Sequence, residues 1–323
     1  YDGTNYWTSV IGGDGCYNAI DPNSDFVQYG LYQYLNVYKS TDQGYNWNNV
    51  YYSNSDPLGG NPAAFLAPFV MSFSNPSVLY GGSTTLIKST NGGSSFFNQQ
   101  PDPVDNGNYV LSIGVSKTNP DTMYFATAPS DTYPMHMFRS ANGGATKTDI
   151  SNGLPNRYPM RITVSPENSS VVYAVFGGFG TGHLYKSING GAAWTDISTD
   201  LPDLPFHCLA VDPLQPNNIY AGCDFTVYAS TDGGQTWSTF ADDLPEAVMI
   251  WDLVVSASDH MLYAFTHGHG TYKRDFLPTG INDQAILVST TRITVYPNPA
   301  TNNITVTWNT DLKDPFVISL VDL

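Results

Sequence analysis

The sequence carries little charge, and most of that charge is negative. Charged residues make up 12% of its 323 residues, with 12 Lys and Arg against 28 Asp and Glu, which gives a formal net charge of −16 at pH 7. Nucleic acids and anionic membranes are bound through clusters of Lys and Arg. Neither is therefore expected as a partner, and the excess of carboxylates is interpreted as a means of keeping the protein soluble.

Long apolar runs are also missing. No stretch of about 18 apolar residues occurs, so no transmembrane segment is predicted. The chain opens at Tyr1 on polar, strand-like sequence without the apolar core of a signal peptide. We therefore expect Tyr1 to be a mature or trimmed end.

Cysteine is scarce. The three cysteines, Cys16, Cys208 and Cys223, fit neither a zinc site nor a disulfide-rich fold. A hairpin that pairs Val211 with Tyr220 would place Cys208 opposite Cys223 and allow a disulfide, whereas a one-residue slip in register would prevent it. Cys16 is expected to be a buried free thiol.

Potential metal ligands are few as well. His267 and His269 flank a glycine and could chelate an ion together, but no third ligand is indicated. The segment is therefore predicted to be a turn, and neither a metal nor a cofactor is expected.

What the sequence does contain is one turn motif repeated five times. The copies begin at Ser40, Ser89, Ser140, Ser187 and Ser230, so successive copies are 49, 51, 47 and 43 residues apart. Self-similarity at this spacing indicates a propeller, a solenoid or another repeat array. The third positions of the copies are Asp42, Asn91, Asn142, Asn189 and Asp232.

The fifth copy reads Ser230-Thr-Asp-Gly-Gly-Gln-Thr-Trp237. Asp or Asn followed by glycine between two apolar runs predicts a hairpin, because glycine adopts positive φ without steric cost and the acidic or amide side chain accepts hydrogen bonds from the turn backbone. The motif resembles the Asp-box, or BNR, repeat (Ser-x-Asp-x-Gly-x-Thr-Trp) of sialidase-like, sortilin-like and xyloglucanase-type β-propellers. The resemblance implies a propeller in which the five Asp and Asn residues are structural and lie away from the active face.

Each motif lies inside a longer unit of four predicted strands, labelled A to D, with the motif between C and D. In the fifth unit these are residues 208–213, 218–222, 226–230 and 237–240, and a sixth unit, residues 251–273, has neither the motif nor strand D. Residues 6–10 resemble a strand D. They either complete the sixth blade and close a six-bladed ring, or follow further blades upstream. The predicted fold is all-β, a propeller of four-stranded blades followed by a partial β-sandwich.

The C-terminal segment has a different pattern. Residues 293–301 read Ile-Thr-Val-Tyr-Pro-Asn-Pro-Ala-Thr and are followed by an alternating strand at 303–307. The segment resembles the C-terminal sorting domain of type IX secretion cargo in Bacteroidetes-like bacteria, without the second half of that small β-sandwich. The resemblance implies export, with the secretion machinery as a partner. The predicted domains are a propeller at 1–278, a linker at 279–287 and an incomplete sorting domain at 288–323.

In propellers of this kind, the D-to-A and B-to-C loops share one face around the central funnel, where ligands usually bind. Aromatic rings with polar neighbours suit a sugar ring or a peptide. The alternative is that these aromatics only cap the core between blades. The candidate ligand-binding residues in the loops are Tyr32, Tyr34, Asp131, Tyr133, Phe179, His183, Phe225 and His267.

A glycosidase would need two carboxyl groups roughly 5 to 9.5 Å apart. Asp14, Asp224 and Asp252 are the candidates, although an acidic chain offers such pairs by chance. Sialidases resemble one another in an arginine triad, whereas most arginines here, Arg161 among them, fall on predicted strands or in the sorting segment. Sialidase activity is therefore not expected.

These observations predict a secreted or cell-surface binding or adhesion protein that recognises a glycan or a protein through its non-repeating loops. The first alternative is a secreted, xyloglucanase-like polysaccharide hydrolase whose catalytic pair is split between this chain and further blades. The second is a structural unit of an extracellular assembly.

Overall fold

The fold is a six-bladed β-propeller, which confirms the all-β prediction. A computed structural model describes residues 9–53, 62–99, 103–242, 244–276, 294–296 and 305–307. Within these ranges there is no α-helix, and hence none long and apolar enough to cross a membrane. Six antiparallel sheets, each made of consecutive strands, form the blades; the first five have four strands and the sixth has three among the described residues.

The strands of each blade follow one another in the order A to D. Blades 1 to 3 comprise β1 (Gly15–Asp21), β2 (Ser24–Tyr32), β3 (Asn36–Ser40) and β4 (Asn48–Tyr52); β5 (Phe69–Met71), β6 (Leu79–Gly82), β7 (Leu86–Ser89) and β8 (Phe97–Asn98); and β9 (Val110–Val115), β10 (Met123–Thr127), β11 (Met137–Ser140) and β12 (Thr148–Asp149). Blades 4 to 6 comprise β13 (Pro159–Val164), β14 (Val172–Phe176), β15 (Leu184–Ser187) and β16 (Thr195–Asp196); β17 (Phe206–Val211), β18 (Ile219–Cys223), β19 (Val227–Ser230) and β20 (Ser238–Thr239); and β21 (Ile250–Ser256), β22 (Met261–Thr266) and β23 (Thr271–Asp275).

The hydrophobic core lies between the blades. The B strands β10, β14 and β18 are buried along their whole length, because each is covered on both faces by neighbouring blades. Their sequences are therefore continuous apolar runs and do not alternate as a half-exposed strand would. The D strands β12, β16 and β20 are two residues long and exposed, and they form the outer rim.

The five motifs form one turn geometry between strands C and D, called here the repeated turn. In the fifth copy the Ser230 hydroxyl donates to Asp232 Oδ1 (2.7 Å), and the N–H groups of Gly234 and Thr236 donate to Ser230 Oγ (2.9 Å) and Asp232 Oδ1 (3.0 Å). The same three bonds recur in the other four copies. The Thr236 hydroxyl and these bonds hold the pKa of Asp232 well below its usual range. Backbone N–H groups of the turn thus find their hydrogen-bond acceptors within the turn itself.

Two of the repeated turns also connect neighbouring blades. The buried Tyr29 of blade 1 and its neighbour Lys39 both donate to the carbonyl of Gly92 in the repeated turn of blade 2, at 2.9 and 2.7 Å. Lys186 of blade 4 reaches Gly233 of blade 5 in the same way, at 3.0 Å. The repeat therefore fixes the contact between blades as well as the hairpin.

The tryptophan that ends the repeated turn makes a second contact between blades. The indole N–H of Trp194 donates to the carbonyl of Ile150 in blade 3 (2.8 Å), and that of Trp237 donates to the carbonyl of Ile197 in blade 4 (2.6 Å). In both cases the acceptor directly follows strand D of the preceding blade. The indole of blade 1, Trp47, instead donates to Gly44 within its own turn.

The three cysteines are free thiols, and of the two registers left open for Cys208 and Cys223 the structure has the one without a disulfide. Cys208 pairs with Gly222, and a bulge at His207 places Cys223 opposite Phe206. Val211 pairs with Ile219 and not with Tyr220, which is the one-residue slip that prevents a disulfide. Cys16 is partly exposed rather than buried.

Residues 278–323 form a second compact unit. Its described part is an antiparallel pair, β24 (Thr294–Tyr296) and β25 (Thr305–Thr307), in which Val295 lies opposite Val306. The predicted linker at 279–287, most of the predicted sorting domain and residues 6–8 of the predicted N-terminal strand lie outside the described residues.

Candidate functional site

The propeller has two chemically distinct faces. On one face the repeated turns bond to the A-to-B turns of their own blades, as where Gly143 donates to Asp121 O (2.8 Å) and Gly233 to Asn217 O (2.9 Å). On the other face the B-to-C loops bond to the D-to-A loops, as where Asp224 donates to Pro205 O (3.1 Å) and Gly177 to Tyr158 O (3.1 Å). We call these the turn face and the loop face.

A cavity of about 710 Å³ runs along the A strands and is lined by residues from all six blades. The wall formed by blades 1 and 2 is mainly apolar and includes Ile20, Leu66, Phe69 and Met71. The wall formed by blades 4 to 6 carries the polar groups near the loop face, where the A strands begin. These residues are Arg161, His207, Trp251 and Asp252.

β-Bulges at the start of the A strands place additional side chains in the cavity, His207 and Trp251 among them. The A strands β9, β13, β17 and β21 each leave one residue unpaired near the loop face, namely Leu111, Met160, His207 and Trp251. β1 leaves two unpaired, Cys16 and Tyr17. A bulge bends the strand and redirects the extra side chain, and all six of these residues line the cavity.

An ion pair joins blades 4 and 6 inside the cavity. Arg161 Nη2 donates to Asp252 Oδ1 at 2.5 Å, and the N–H of Leu253 donates to the same oxygen at 2.9 Å. Burial alone would lower the pKa of Arg161, but the charge of Asp252, its hydrogen bond and the smaller contributions of Tyr17 and Cys208 together outweigh burial, so the pKa lies above the usual value. The other two guanidinium nitrogens and Asp252 Oδ2 make no hydrogen bond within the described part of the chain. Both side chains are partly exposed, at 26% and 38%.

A second polar pair lies beside the first. His207 Nε2 lies 2.6 Å from Asp224 Oδ1, so the imidazole orients a carboxylate from the B-to-C loop of blade 5. The His207 ring also stacks on the Trp251 ring, with 5.1 Å between centroids and 28° between planes. Trp251 keeps 42% of its surface exposed. The result is an accessible indole face flanked by two carboxylates and one guanidinium.

Tyr17 of blade 1 interacts electrostatically with the Arg161–Asp252 pair. Burial raises the pKa of Tyr17, the charge of Arg161 opposes the rise, and Asp252 adds to it. Its hydroxyl therefore stays protonated at physiological pH. We call Tyr17, Arg161, His207, Asp224, Trp251 and Asp252 the channel cluster.

The three predicted carboxylates are not all brought together. Asp224 and Asp252 both belong to the channel cluster, where Asp224 contacts His207 and Asp252 is paired with Arg161. Asp14 precedes β1 in a neighbouring loop, where its N–H donates to the side chain of Gln33 at 2.9 Å.

The predicted ligand-binding residues are spread around the rim of the loop face. Tyr34 packs edge-on against Phe65, and Tyr32 packs against Tyr38. His183 is buried, and its Nε2 contacts Asp203 at 3.1 Å. Phe225 directly follows Asp224 and is the only one of the set next to the channel cluster in sequence. The remaining members, Asp131, Tyr133, Phe179 and His267, are partly or fully exposed in the B-to-C loops of blades 3, 4 and 6.

Sequence reasoning missed Arg161, Trp251 and Tyr17 because it placed them on strands and sought the site in loops, and it missed His207 because that residue fell between a loop and the predicted strand at 208–213. The available signal was their position near the start of each predicted A strand. Within the described ranges, no three His, Cys, Asp or Glu side chains are grouped as a metal site would require.

Comparison with known proteins gives the fold. No protein-family model and no curated protein matches the sequence. Among solved structures, the chain is similar to the GH74 enzyme of Niastella koreensis (TM-score 0.63, 20% identity, 82% of this chain and 46% of that one). It is also similar to the GH74 xyloglucanase of Xanthomonas campestris (TM-score 0.61, 17% identity, 80% and 44%).

A third similar structure is YCF48 from Cyanidioschyzon merolae (TM-score 0.57, 14% identity, 78% of this chain and 80% of that one). The chain thus spans less than half the length of the two GH74 enzymes but most of YCF48. At these identities the likeness shows a β-propeller fold and no shared activity.

Proposed function

We propose that the protein is a secreted or cell-surface propeller that binds a neutral glycan at the channel cluster. The observation that carries the proposal is the exposed indole of Trp251 beside the Arg161–Asp252 pair. A sugar ring stacks its C–H face on an aromatic ring and exchanges hydrogen bonds around its edge. The unused donors of Arg161 and the unused oxygen of Asp252 offer both bond types to adjacent hydroxyl groups.

The charges around the indole favour a neutral ligand. Asp224 and Asp252 contribute two carboxylates against the single guanidinium of Arg161, and the whole chain carries a formal charge of −16. An acidic polysaccharide would be repelled by both the site and the long-range field. The apolar wall of blades 1 and 2 would cover the opposite side of a bound chain.

The test is a binding titration of the full chain with neutral polysaccharides, including xyloglucan, and with polygalacturonate as the acidic comparison. We expect binding to a neutral polymer only, and Trp251→Ala should weaken it at least ~10-fold, as loss of a central aromatic contact does. Tyr45→Ala is the matched control, because Tyr45 is 83% exposed in a repeated turn on the opposite face. Equal loss in both variants, or unchanged binding in Trp251→Ala, would contradict the assignment.

A polysaccharide hydrolase is the second candidate, favoured by the two carboxylates of the channel cluster, Asp224 and Asp252, and by the GH74-like fold. Glycoside hydrolysis needs such a pair. The same titrations should be followed by a reducing-sugar assay. Turnover that is abolished by Asp224→Asn and by Asp252→Asn would establish the hydrolase, whereas binding without turnover supports a binding protein. If the folded chain binds neither glycan nor protein, a structural role in an extracellular assembly replaces both.

Export through type IX secretion is proposed from the C-terminal segment. The Val-Tyr-Pro-Asn-Pro-Ala sequence, whose first two residues end β24, and the antiparallel pair that β24 forms with β25 support an Asp-box propeller joined to a sorting domain. In a type IX-competent bacterium, the full chain behind a host export signal is expected to reach the cell surface or the medium. The chain ended after residue 287 is expected to stay inside the outer membrane, as measured by protease treatment of intact cells. Equal surface exposure of both forms would exclude the segment as the signal.

A further inference from the structure

The cavity extends beyond the channel cluster. Its polar groups lie near the loop face, and it continues along β1 and β5 towards the turn face between apolar side chains. We infer that the ligand is an amphipathic glycoside, a neutral sugar joined to an alkyl chain, with the sugar at the channel cluster and the alkyl chain along β1 and β5. The inference rests on the proposed function for the sugar and adds the chemical class of the rest of the ligand.

The charged side chains of the cavity are confined to one end. Among the described residues that line it, only Lys, Arg, Asp or Glu side chains at the loop-face end occur, namely Arg161 and Asp252. Towards the turn face the lining includes Ile20, Met71 and Phe73. A sugar needs hydrogen-bond partners around its edge, whereas an alkyl chain needs only apolar surface. The two ends of the cavity therefore suit the two halves of an amphipathic molecule.

The wall along β1 and β5 offers few side chains that could hold a second sugar. Beyond the channel cluster, the amide or hydroxyl side chains among its described lining residues are Asn18 and Ser72. Ser72 is buried, and its hydroxyl lies 3.3 Å from that of Ser74. One remaining amide cannot pair with all the hydroxyl groups of a sugar ring, and each hydroxyl buried without a partner costs free energy. An alkyl chain brings no such groups.

The apolar part of the cavity is accessible. In blade 1, Ile20 occupies the position that Val164 and Val211 occupy in blades 4 and 5, just before the A-to-B turn. Val164 and Val211 pack between blades and are each 6% exposed, whereas Ile20 is 57% exposed and lines the cavity. Phe73, in the A-to-B turn of blade 2, is exposed as well. Large apolar side chains that are exposed together mark a binding surface.

The cavity has room for both halves of such a ligand. Its volume of about 710 Å³ falls within the range of about 300–1,000 Å³ that small-molecule sites have. From Tyr17 to Ile20, β1 extends roughly 10 Å at about 3.3 Å per residue, which is close to the length of an extended octyl chain. An alkyl chain inside the cavity cannot remain in a bilayer, so the ligand is bound as a free molecule.

The test is a binding titration of the full chain with alkyl β-glucosides and alkyl β-galactosides whose chains run from methyl to decyl, below their micelle concentrations. We expect the affinity for at least one head group to rise roughly two- to fourfold per added methylene up to octyl, because each buried methylene contributes a similar transfer free energy. The rise should level off beyond octyl. An affinity that does not change with chain length would overturn the inference.

A charge in the apolar part of the cavity should remove this dependence. Ile20→Asp is expected to abolish the rise with chain length and to leave binding of the methyl glycoside unchanged. More than half of Ile20 is exposed, so the variant is expected to fold. Ile188→Asp is the matched control, because Ile188 is an exposed isoleucine in the repeated turn of blade 4. A rise that persists in Ile20→Asp, or that is lost in both variants, would place the alkyl chain elsewhere and overturn the inference.

Trp251→Ala distinguishes a failure of this inference from a failure of the proposed function. The variant should weaken binding of all the glycosides by a similar factor and leave the rise with chain length intact. Unchanged affinities in Trp251→Ala would contradict the proposed function, and this inference with it. A clear loss of affinity in Trp251→Ala, without any gain from longer alkyl chains in the wild type, would contradict the inference alone.

Discussion

Gly191→Ala is expected to destabilise the protein by about 3 kcal/mol or more, whereas Gly153→Ala should cost only about 1–2 kcal/mol. Both glycines have left-handed backbones, with φ of +88° and +92°. They differ in their surroundings. A Cβ on Gly191 would lie 2.9 Å from Ile150 Cβ and 3.1 Å from its Cγ1, whereas a Cβ on Gly153 would meet nothing within 4 Å.

Comparison of the two variants therefore distinguishes the cost of backbone strain, which both share, from the cost of disturbed packing between blades, which only Gly191→Ala has. The Ile150 contact lies in the seam that Trp194 closes, so the added methyl group must push apart the cluster shared by blades 3 and 4. Chemical denaturation of the two variants and the wild type measures the difference, and a fall in Tm of several degrees should accompany it. Equal losses in both variants would mean that the repeated turn acts through local conformation alone.

The sequence was sufficient to predict the propeller because each blade repeats its own stabilising chemistry. The Ser, Asp and Gly positions of the repeated turn have fixed partners within eight residues, as in Ser230, Asp232 and Gly234. Local hydrogen bonding of this kind can be predicted from the sequence without knowledge of the fold. The contacts between blades could not be predicted in this way, because Tyr29 and Lys39 bond to Gly92, which lies more than fifty residues away in sequence.

The channel cluster could be predicted only in part. Asp224 was identified from its loop and Asp252 from its charge, but the bulges that place His207 and Trp251 in the cavity have no common residue type. The cysteine pairing depends instead on the register of the whole hairpin. Val211 pairs with Ile219 and not with Tyr220, so Cys208 lies opposite Gly222, and this shift of one position is enough to separate it from Cys223.

The two faces explain why repetition and function are separated in this chain. The repeated turns and the A-to-B turns bond to one another on the turn face. The loops of the opposite face vary in length and sequence from blade to blade, and the bulges lie at their ends. A site of mixed chemistry, such as the channel cluster, can form only where the blades differ.

Cys16 is expected to react with iodoacetamide roughly 100-fold more slowly at pH 8 than an ordinary thiol, although it is partly exposed. Burial, with a contribution from the charge of Asp14, raises its pKa from 9.0 to about 11. The thiolate is the reactive form. At pH 8 a thiol with a pKa of 9 is about 10% ionised, whereas one with a pKa of 11 is about 0.1% ionised.

The alkylation rate of Cys16 is expected to rise with pH. A raised pKa keeps the protonated form dominant through pH 9, so the rate should continue to rise roughly tenfold per pH unit up to about pH 11. Asp14→Asn should speed the reaction modestly, because burial is the larger cause and is unchanged. Cys16→Ser should abolish the reaction in the native protein, since Cys208 and Cys223 are buried. A rate that reaches a plateau near pH 9 would show that the pKa of Cys16 is not raised.

The same thiol can report on the channel, because Cys16 lines the cavity next to Tyr17 in the bulge of β1. A glycan bound at the channel cluster should slow the alkylation of Cys16 further, with a concentration dependence that matches the binding titration. In Trp251→Ala this protection should require a higher ligand concentration, whereas in Tyr45→Ala it should not change. Binding without protection would place the glycan on the outer rim of the loop face, among residues such as Tyr133 and Phe179, and away from the channel.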